Sequence, residues 1–352
     1  MNRSAIFYAL ASAALFGLST PAAKVLLGSI HPAVLAGLFY CGAGVGVALL
    51  RRLGMRILGR RDAREAALGK RDFPWLAGAI VAGGIVGPLL LMFGLTQTDS
   101  ATASLLLTVE GAATALLAWF LFRENFDHRV ALGMVCLVVG AAILSWSGSP
   151  TIENLIGPLA IVGACLAWGL DNNLTRRVSL SDPLQIVEIK GLVAGPINLA
   201  LGLWAKGSFP PASPLFIAML IGFVGYGLSL VLFVLALRHL GAARTGAYFS
   251  TAPFLGAAAA VIALGEPVTV GLLTAGTVMG FGVWLHLTEH HEHKHVHEPT
   301  LHTHPHIHDE HHRHEHDDSD PPGESHSHSH THGPLSHAHP HAPDMHHLHR
   351  HK

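Results

Sequence analysis

One glutamate and two dozen histidines are the residues of this chain best placed to do chemistry. Glu110 stands midway along an apolar run, residues 101–122. A charged side chain at the centre of a bilayer costs about 2.5–3.5 kcal/mol on insertion scales, so such acids mark ion or substrate pathways. In that role Glu110 faces a cavity and binds a cationic group, a metal ion or a coupling proton. The alternative is a protonated acid tied to a neighbouring helix for structure alone. Asn172, in the run Asp171-Asn172-Asn173, could coordinate a substrate, or the three could cap a helix end beside Arg176 and Arg177. Trp168, Tyr226 and Tyr248 are candidate cavity aromatics; each could equally pack or anchor at a membrane interface. The substrate-binding set is therefore Glu110, Trp168, Asn172, Tyr226 and Tyr248.

The histidines gather at the other end. Residues 289–352 hold 24 of the 28 and no cysteine. His290, His291, His293, His295 and His297 form one cluster, and His302, His304, His306 and His308 the next. His311, His312, His314 and His316 follow, then His326, His328, His330 and His332. Alternate residues of an extended chain share a face, and neutral imidazole suits Zn, Ni, Co or Cu ions. The tail is expected to bind these divalent metal ions, although no cofactor is required. Its prolines preclude a long helix and its apolar residues are few, so it is expected to be disordered. A solvated tail grown by repeat slippage, or a pH sensor that turns positive in mild acid, are the other readings.

The elements that position Glu110 belong in lipid. Half the residues are apolar and 13% are charged, against about 25% in a soluble domain. The net charge of −1 hides a split: residues 1–288 carry 18 Lys+Arg and 12 Asp+Glu, the tail 4 and 11. Ten runs are long enough to span about 30 Å: 4–28, 33–50, 74–96, 101–122, 129–147, 155–174, 184–204, 214–237, 243–264 and 269–288. The first is read as an uncleaved span rather than a signal peptide. The basic connection from Arg51 to Asp72 belongs in the cytoplasm. Alternation then puts Arg123, Arg129, Arg176, Arg177, Arg238 and Arg244 inside, with Lys206 the one exception, and both termini in the cytoplasm. The expected location is the plasma membrane, the inner membrane of a bacterium. The partners expected are the lipid bilayer, a small-molecule substrate and divalent metal ions, with no nucleic acid; the protein would be a monomer or homodimer. Lys190 and Lys24 are read as snorkelling near span ends. Glu124 and Glu266 precede helices and complement their positive ends. Cys41, Cys136 and Cys165 read as buried hydrophobes. No nucleophile–base motif, phosphate loop or nucleotide fold occurs, so neither an enzyme nor ATP-driven transport is expected.

The second half echoes the first. A shift of 142 residues lays Gly83 on Gly225, Glu124 on Glu266 and Gly140 on Gly282; a shift of 152 lays Phe16-Gly17-Leu18 on Trp168-Gly169-Leu170. Five spans is an odd number, so the halves cross in opposite directions, a recurrent design of secondary transporters. The expected fold is an all-α polytopic membrane protein of ten transmembrane helices in two inverted five-helix repeats, 1–148 and 149–288, with the tail as 289–352. The glycines of spans three and eight (Gly83, Gly84, Gly87; Gly222, Gly225, Gly227) allow close packing or a helix break.

On these residues the chain resembles the EamA type of the drug/metabolite transporter superfamily. The resemblance rests on Phe16-Gly17 and Trp168-Gly169 ending the first helix of each repeat, and on Phe122-Arg123-Glu124 and Leu264-Gly265-Glu266 closing the fourth. Pro253 fits the family's fourth-helix proline, whereas Glu110-Gly111 stands at that place in the first repeat. The resemblance implies a small-molecule carrier with a central cavity. Three functions follow in order of preference. The first is alternating-access transport of a small organic metabolite or toxic compound, the tail being accessory or regulatory. The second is transport of divalent metal, and the third a membrane-anchored metal buffer.

Overall fold

The computed structural model describes residues 3–57, 68–122, 128–145, 152–205 and 207–288, with the backbone alone for four tail segments. Helices dominate. The first half comprises α1 (Arg3–Leu26), α2 (Pro32–Ile57), α3 (Phe73–Ala79), α4 (Gly87–Gln97), α5 (Ser100–Leu106), α6 (Val109–Phe122) and α7 (His128–Ser145). The second comprises α8 (Ile152–Val178), α9 (Pro183–Trp204), α10 (Ala212–Gly222), α11 (Ser229–Phe249), α12 (Ala252–Leu264) and α13 (Val270–Leu287). Among the described residues nine stretches are long and apolar enough to cross a membrane, and Ala131–Ser145 is a shorter apolar helix at the fifth expected span.

Two pairs of matched interruptions set this bundle apart from ten plain rods. Span three passes from α3 to α4 through a π-helical segment, Ile80–Val86; span eight passes from α10 to α11 through another, Phe223–Leu228. Span four breaks at Leu107–Thr108, between α5 and α6, and span nine at Ser250–Thr251, between α11 and α12. The shift of 142 residues that aligns the sequence halves carries each first-half irregularity onto its partner within one residue.

The packing obeys the same exchange. α2 packs on α9 and α7 on α13, each helix against its own counterpart, and α5 packs on α12 where spans four and nine meet. α1 packs on α11 and α12, while α8 packs on α4 and α6, which is the same relation with the halves swapped. Small residues make the α2–α9 seam. A Cβ on Gly44 would come within 2.6 Å of the Leu192 nitrogen, and one on Gly195 within 2.7 Å of the Cys41 nitrogen. Without a hydrophobic drive between helices in lipid, such close backbone approach supplies the van der Waals attraction that holds them.

The exterior is apolar: Phe7, Phe120, Leu159, Phe216, Ile262 and Val270 are all largely exposed. The interior buries Glu110, Asp171, Asn172, Asn173, Lys190, Asn198 and Arg238. A soluble domain distributes these classes the other way.

Charged side chains tie the span ends. Glu266 accepts hydrogen bonds from the Ser100 and Ala101 nitrogens at 2.9 and 2.6 Å. It therefore caps α5 in the opposite repeat; the expected partner, the helix that follows it in sequence, is not the one it bonds. Lys24 donates to the Leu95 and Thr98 carbonyls at 2.5 and 2.8 Å, closing the end of α4. At the other end of the bundle Arg51 pairs with Asp182 and Glu188, at 3.2 and 3.0 Å. Arg238 donates to the Ser179 and Ser181 carbonyls beyond α8.

Glu124, Lys206, Arg123 and residues 58–67 of the basic connection lie outside the described residues. In the tail the described backbone consists of β1 (Glu292–Val296), β2 (Thr300–His306), β3 (His326–His332) and β4 (Ser336–Pro340), with β1 antiparallel to β4 and β2 to β3. The expected disorder otherwise falls on residues outside that description, as do the side chains of every tail histidine.

Candidate functional site

Glu110 lies in the first turn of α6, just past the break in its span. The break follows from local bonding: the Thr108 hydroxyl folds back on the Leu105 carbonyl, and the backbone tightens into i+3 bonds at Thr108, Glu110 and Gly111. A carboxylate at the start of a helix meets the unpaired N–H groups and the positive end of the macrodipole. The side chain is 8% exposed.

Asn172, on α8, meets it. Its amide nitrogen donates to Glu110 Oε1 at 2.9 Å and to Thr114 Oγ1, one turn further along α6, at 3.1 Å. Asn173 donates to the Thr114 and Gly169 carbonyls, at 3.0 and 2.9 Å. The capping alternative for Asp171-Asn172-Asn173 fails because α8 runs on to Val178. All three are interior.

Asp171 has a different partner. Lys190 Nζ donates to its two carboxylate oxygens at 2.6 and 2.8 Å, and Thr175 donates to Oδ1 at 2.8 Å. Lys190 is 1% exposed, so the snorkelling position expected for it is corrected: its ammonium is buried because a carboxylate is there to receive it. Lys24, expected to snorkel too, instead caps α4.

Aromatic rings enclose the acid. Phe16 lies edge-on to Trp168 with centroids 5.8 Å apart, and touches Tyr226 at 5.5 Å and Phe249 at 5.3 Å. Tyr226 also meets Tyr40 at 5.5 Å, and Phe233 meets Phe249 at 4.9 Å. The polar ends of two of these side chains are already occupied. The Tyr40 hydroxyl and Trp168 Nε1 both donate to the Gly83 carbonyl, at 2.5 and 3.0 Å, and Asn198 donates to the Gly84 carbonyl at 2.8 Å. These carbonyls belong to the π-helical segment of span three. Gly83 is required there, since any Cβ would strike the Asp171 carboxylate.

The cavity so formed is lined by Phe16, Tyr40, Glu110, Trp168, Asp171, Asn172, Tyr226 and Phe249, among others. Its volume is about 50 Å3, room for roughly four waters. A second, narrower pocket shares Phe16, Glu110, Asn172 and Phe249 with it and reaches Leu107, Ser250 and Pro253 at the two helix breaks.

Four of the five residues anticipated from sequence, Glu110, Trp168, Asn172 and Tyr226, meet here. Tyr248 does not: it packs with Ala5, Ala9, Ala236 and Leu240, and its neighbour Phe249 enters the cavity instead. Phe16, Tyr40, Thr114 and the Lys190–Asp171 pair were absent from that set. Phe16 had a signal, since the 152-residue shift lays it on Trp168.

Comparison with known proteins agrees with this architecture. The EamA-like transporter family model matches residues 3–146 and again 155–288. A protein of Methanothermobacter thermautotrophicus described as an uncharacterized transporter is 30% identical over 281 residues, covering 77% of this chain and 82% of its own. Purine permease 2 of Arabidopsis thaliana is 28% identical over 161 residues, 41% of this chain and 45% of the permease. A solved crystal structure superposes with a TM-score of 0.62 at 16% identity, covering 81% of this chain and 96% of that one, and so shares the fold.

Proposed function

The chain belongs to the EamA-like transporter family, and on that premise we propose that it is a secondary carrier of a small organic solute working by alternating access. One observation carries the proposal. A buried, aromatic-walled cavity lies where helices of both inverted repeats meet, with a carboxylate at a helix break. Inverted-repeat carriers hold their substrates at such broken helices near the midplane. Glu110 and Asn172 are the polar contacts; Trp168 and Tyr226 supply the walls. Rocking of one repeat against the other would release the ties that cross between them, Glu266 to α5 at one end of the bundle and Arg51 to Asp182 and Glu188 at the other.

We place the protein in the plasma membrane, and the distribution of Lys and Arg supports an orientation with the Arg51–Asp72 connection, both termini and the tail in the cytoplasm. An organic solute fits the site better than a divalent metal ion. Among the described residues no three His, Cys, Asp or Glu side chains converge to hold one, and Asp171 is committed to Lys190. The partial likeness to a purine permease favours the organic reading too. The tail histidines would bind Zn, Ni, Co or Cu ions as an accessory or regulator, through imidazole alone.

The test is solute counterflow in proteoliposomes containing the purified full chain. Saturable flux that falls at least about tenfold in Glu110→Gln supports the carrier. Metal flux with no organic flux would favour the metal-transport reading, and no flux of any solute would leave the metal buffer.

A further inference from the structure

We propose that the central cavity is selective for a monovalent organic cation, a compact alkylammonium, over neutral, anionic or metal-ion solutes. The inference rests on the carrier reading and names the chemical class of its solute. It comes from a charge inventory of the cavity wall, from the state of its polar groups and from its size.

Two acids border the cavity. Asp171 is neutralised: both its oxygens receive Lys190 Nζ, and Thr175 adds a third bond. Glu110 receives only the neutral amide of Asn172, and no described ion pair includes it. Once the fixed pair is set aside, Glu110 is the one acid of the described wall left to receive a cationic partner. Ionised, it would repel an anionic solute and give a neutral one no charged partner, whereas a bound cation would stabilise its ionised form.

A metal ion is disfavoured by what the remaining groups are doing. Hard cations need six or more oxygens, or an octahedral set. The carbonyls of Gly83 and Gly84, which a π-helical segment would otherwise offer, are occupied by Tyr40, Trp168 and Asn198. With their polar ends spent on Gly83, Tyr40 and Trp168 present ring surface to the cavity, beside Phe16, Tyr226 and Phe249. Ring faces are negative and attract ammonium groups, most strongly where water is excluded. A carboxylate set in an aromatic box is the arrangement that matches an alkylammonium head. The cavity volume, roughly four waters' worth, is the size class of such a head and leaves no room for a hydrated ion.

The experiment compares choline with 3,3-dimethyl-1-butanol, its neutral isostere in which carbon replaces the charged nitrogen. Binding of each to the purified full chain in nanodiscs is measured by isothermal titration. Choline should bind at least about tenfold more tightly than the isostere. Glu110→Gln should bring the two within about twofold, chiefly by weakening choline, with folding of the variant checked separately by its monodisperse elution and thermal unfolding. Equal binding of the pair to the wild-type chain overturns the proposal, as does an undiminished preference in Glu110→Gln or the absence of any choline binding. If Glu110→Gln does not fold, the wild-type pair decides alone. Selective choline binding without flux of any solute would sink the carrier reading and leave the cation site standing. Flux of neutral solutes without a choline preference would do the reverse.

Discussion

Lys190 reaches from α9 to place its ammonium 2.6 Å from Oδ1 of Asp171 on α8, and both side chains are almost fully buried. Removing one partner of such a pair strands the other charge, at a cost of about 3–5 kcal/mol. Lys190→Met should therefore lower thermal stability in detergent severely. The double variant Lys190→Met with Asp171→Asn should lose less than the two single losses added together. Additive losses would show that the pair contributes no coupling.

Glu266 bonds two backbone N–H groups of α5 across the repeat boundary. Charged caps of this kind contribute about 0.5–2 kcal/mol. Hydrogen exchange at the Ser100 and Ala101 amides should quicken in Glu266→Gln, with the amides of α9 unaffected. Unchanged exchange at both positions would remove the cap from the account.

The Gly83 carbonyl has two donors, Tyr40 and Trp168. Losing either one, as in Tyr40→Phe or Trp168→Phe, should cost about 0.5–1.5 kcal/mol. Losing both should cost more than the sum, since a buried carbonyl then has no side-chain partner. A double-mutant cycle on unfolding reads the difference directly.

At the α2–α9 seam, Gly44→Leu or Gly195→Leu should prevent proper assembly, seen as loss of the monodisperse peak on size exclusion. Gly271→Ala is the control. A Cβ there meets nothing nearer than Thr269 Oγ1 at 3.8 Å, so its effect should stay within about 0.5–1 kcal/mol and favour stability.

A chain ending at Thr288 should keep solute flux and lose its zinc binding, measured by titration with a metal indicator. Loss of flux together with zinc binding would make the tail part of the transport machinery.

The spans and the duplication were legible because both are properties of long runs: twenty apolar residues, or five spans repeated, survive local exceptions. Glu110 was legible because a lone acid in lipid is costly. What escaped depended on helix phase and on pairing between helices. Tyr248 and Phe249 are neighbours of similar character, and only the phase of α11 decides which enters the cavity. Lys190 looked interfacial because nothing in the sequence reveals that Asp171, nineteen residues earlier, lies opposite it on the adjoining helix. Glu266 precedes one helix in sequence and caps another in space. The break at Leu107–Thr108 has neither Pro nor Gly at its centre; a threonine hydroxyl and a tightened turn make it.

The π-helical segments and the helix breaks recur at one offset although the residues that build them differ: Ile-Val-Ala-Gly-Gly-Ile-Val in one half, Phe-Val-Gly-Tyr-Gly-Leu in the other. Flaws copied in place while the letters around them changed point to an ancestor that already contained them. That ancestor would have been a five-helix chain, able to build a closed box only by meeting a second copy of itself upside down. On this account Glu110, which has Ala252 at the equivalent place, is one point at which fusion left the two sides free to differ.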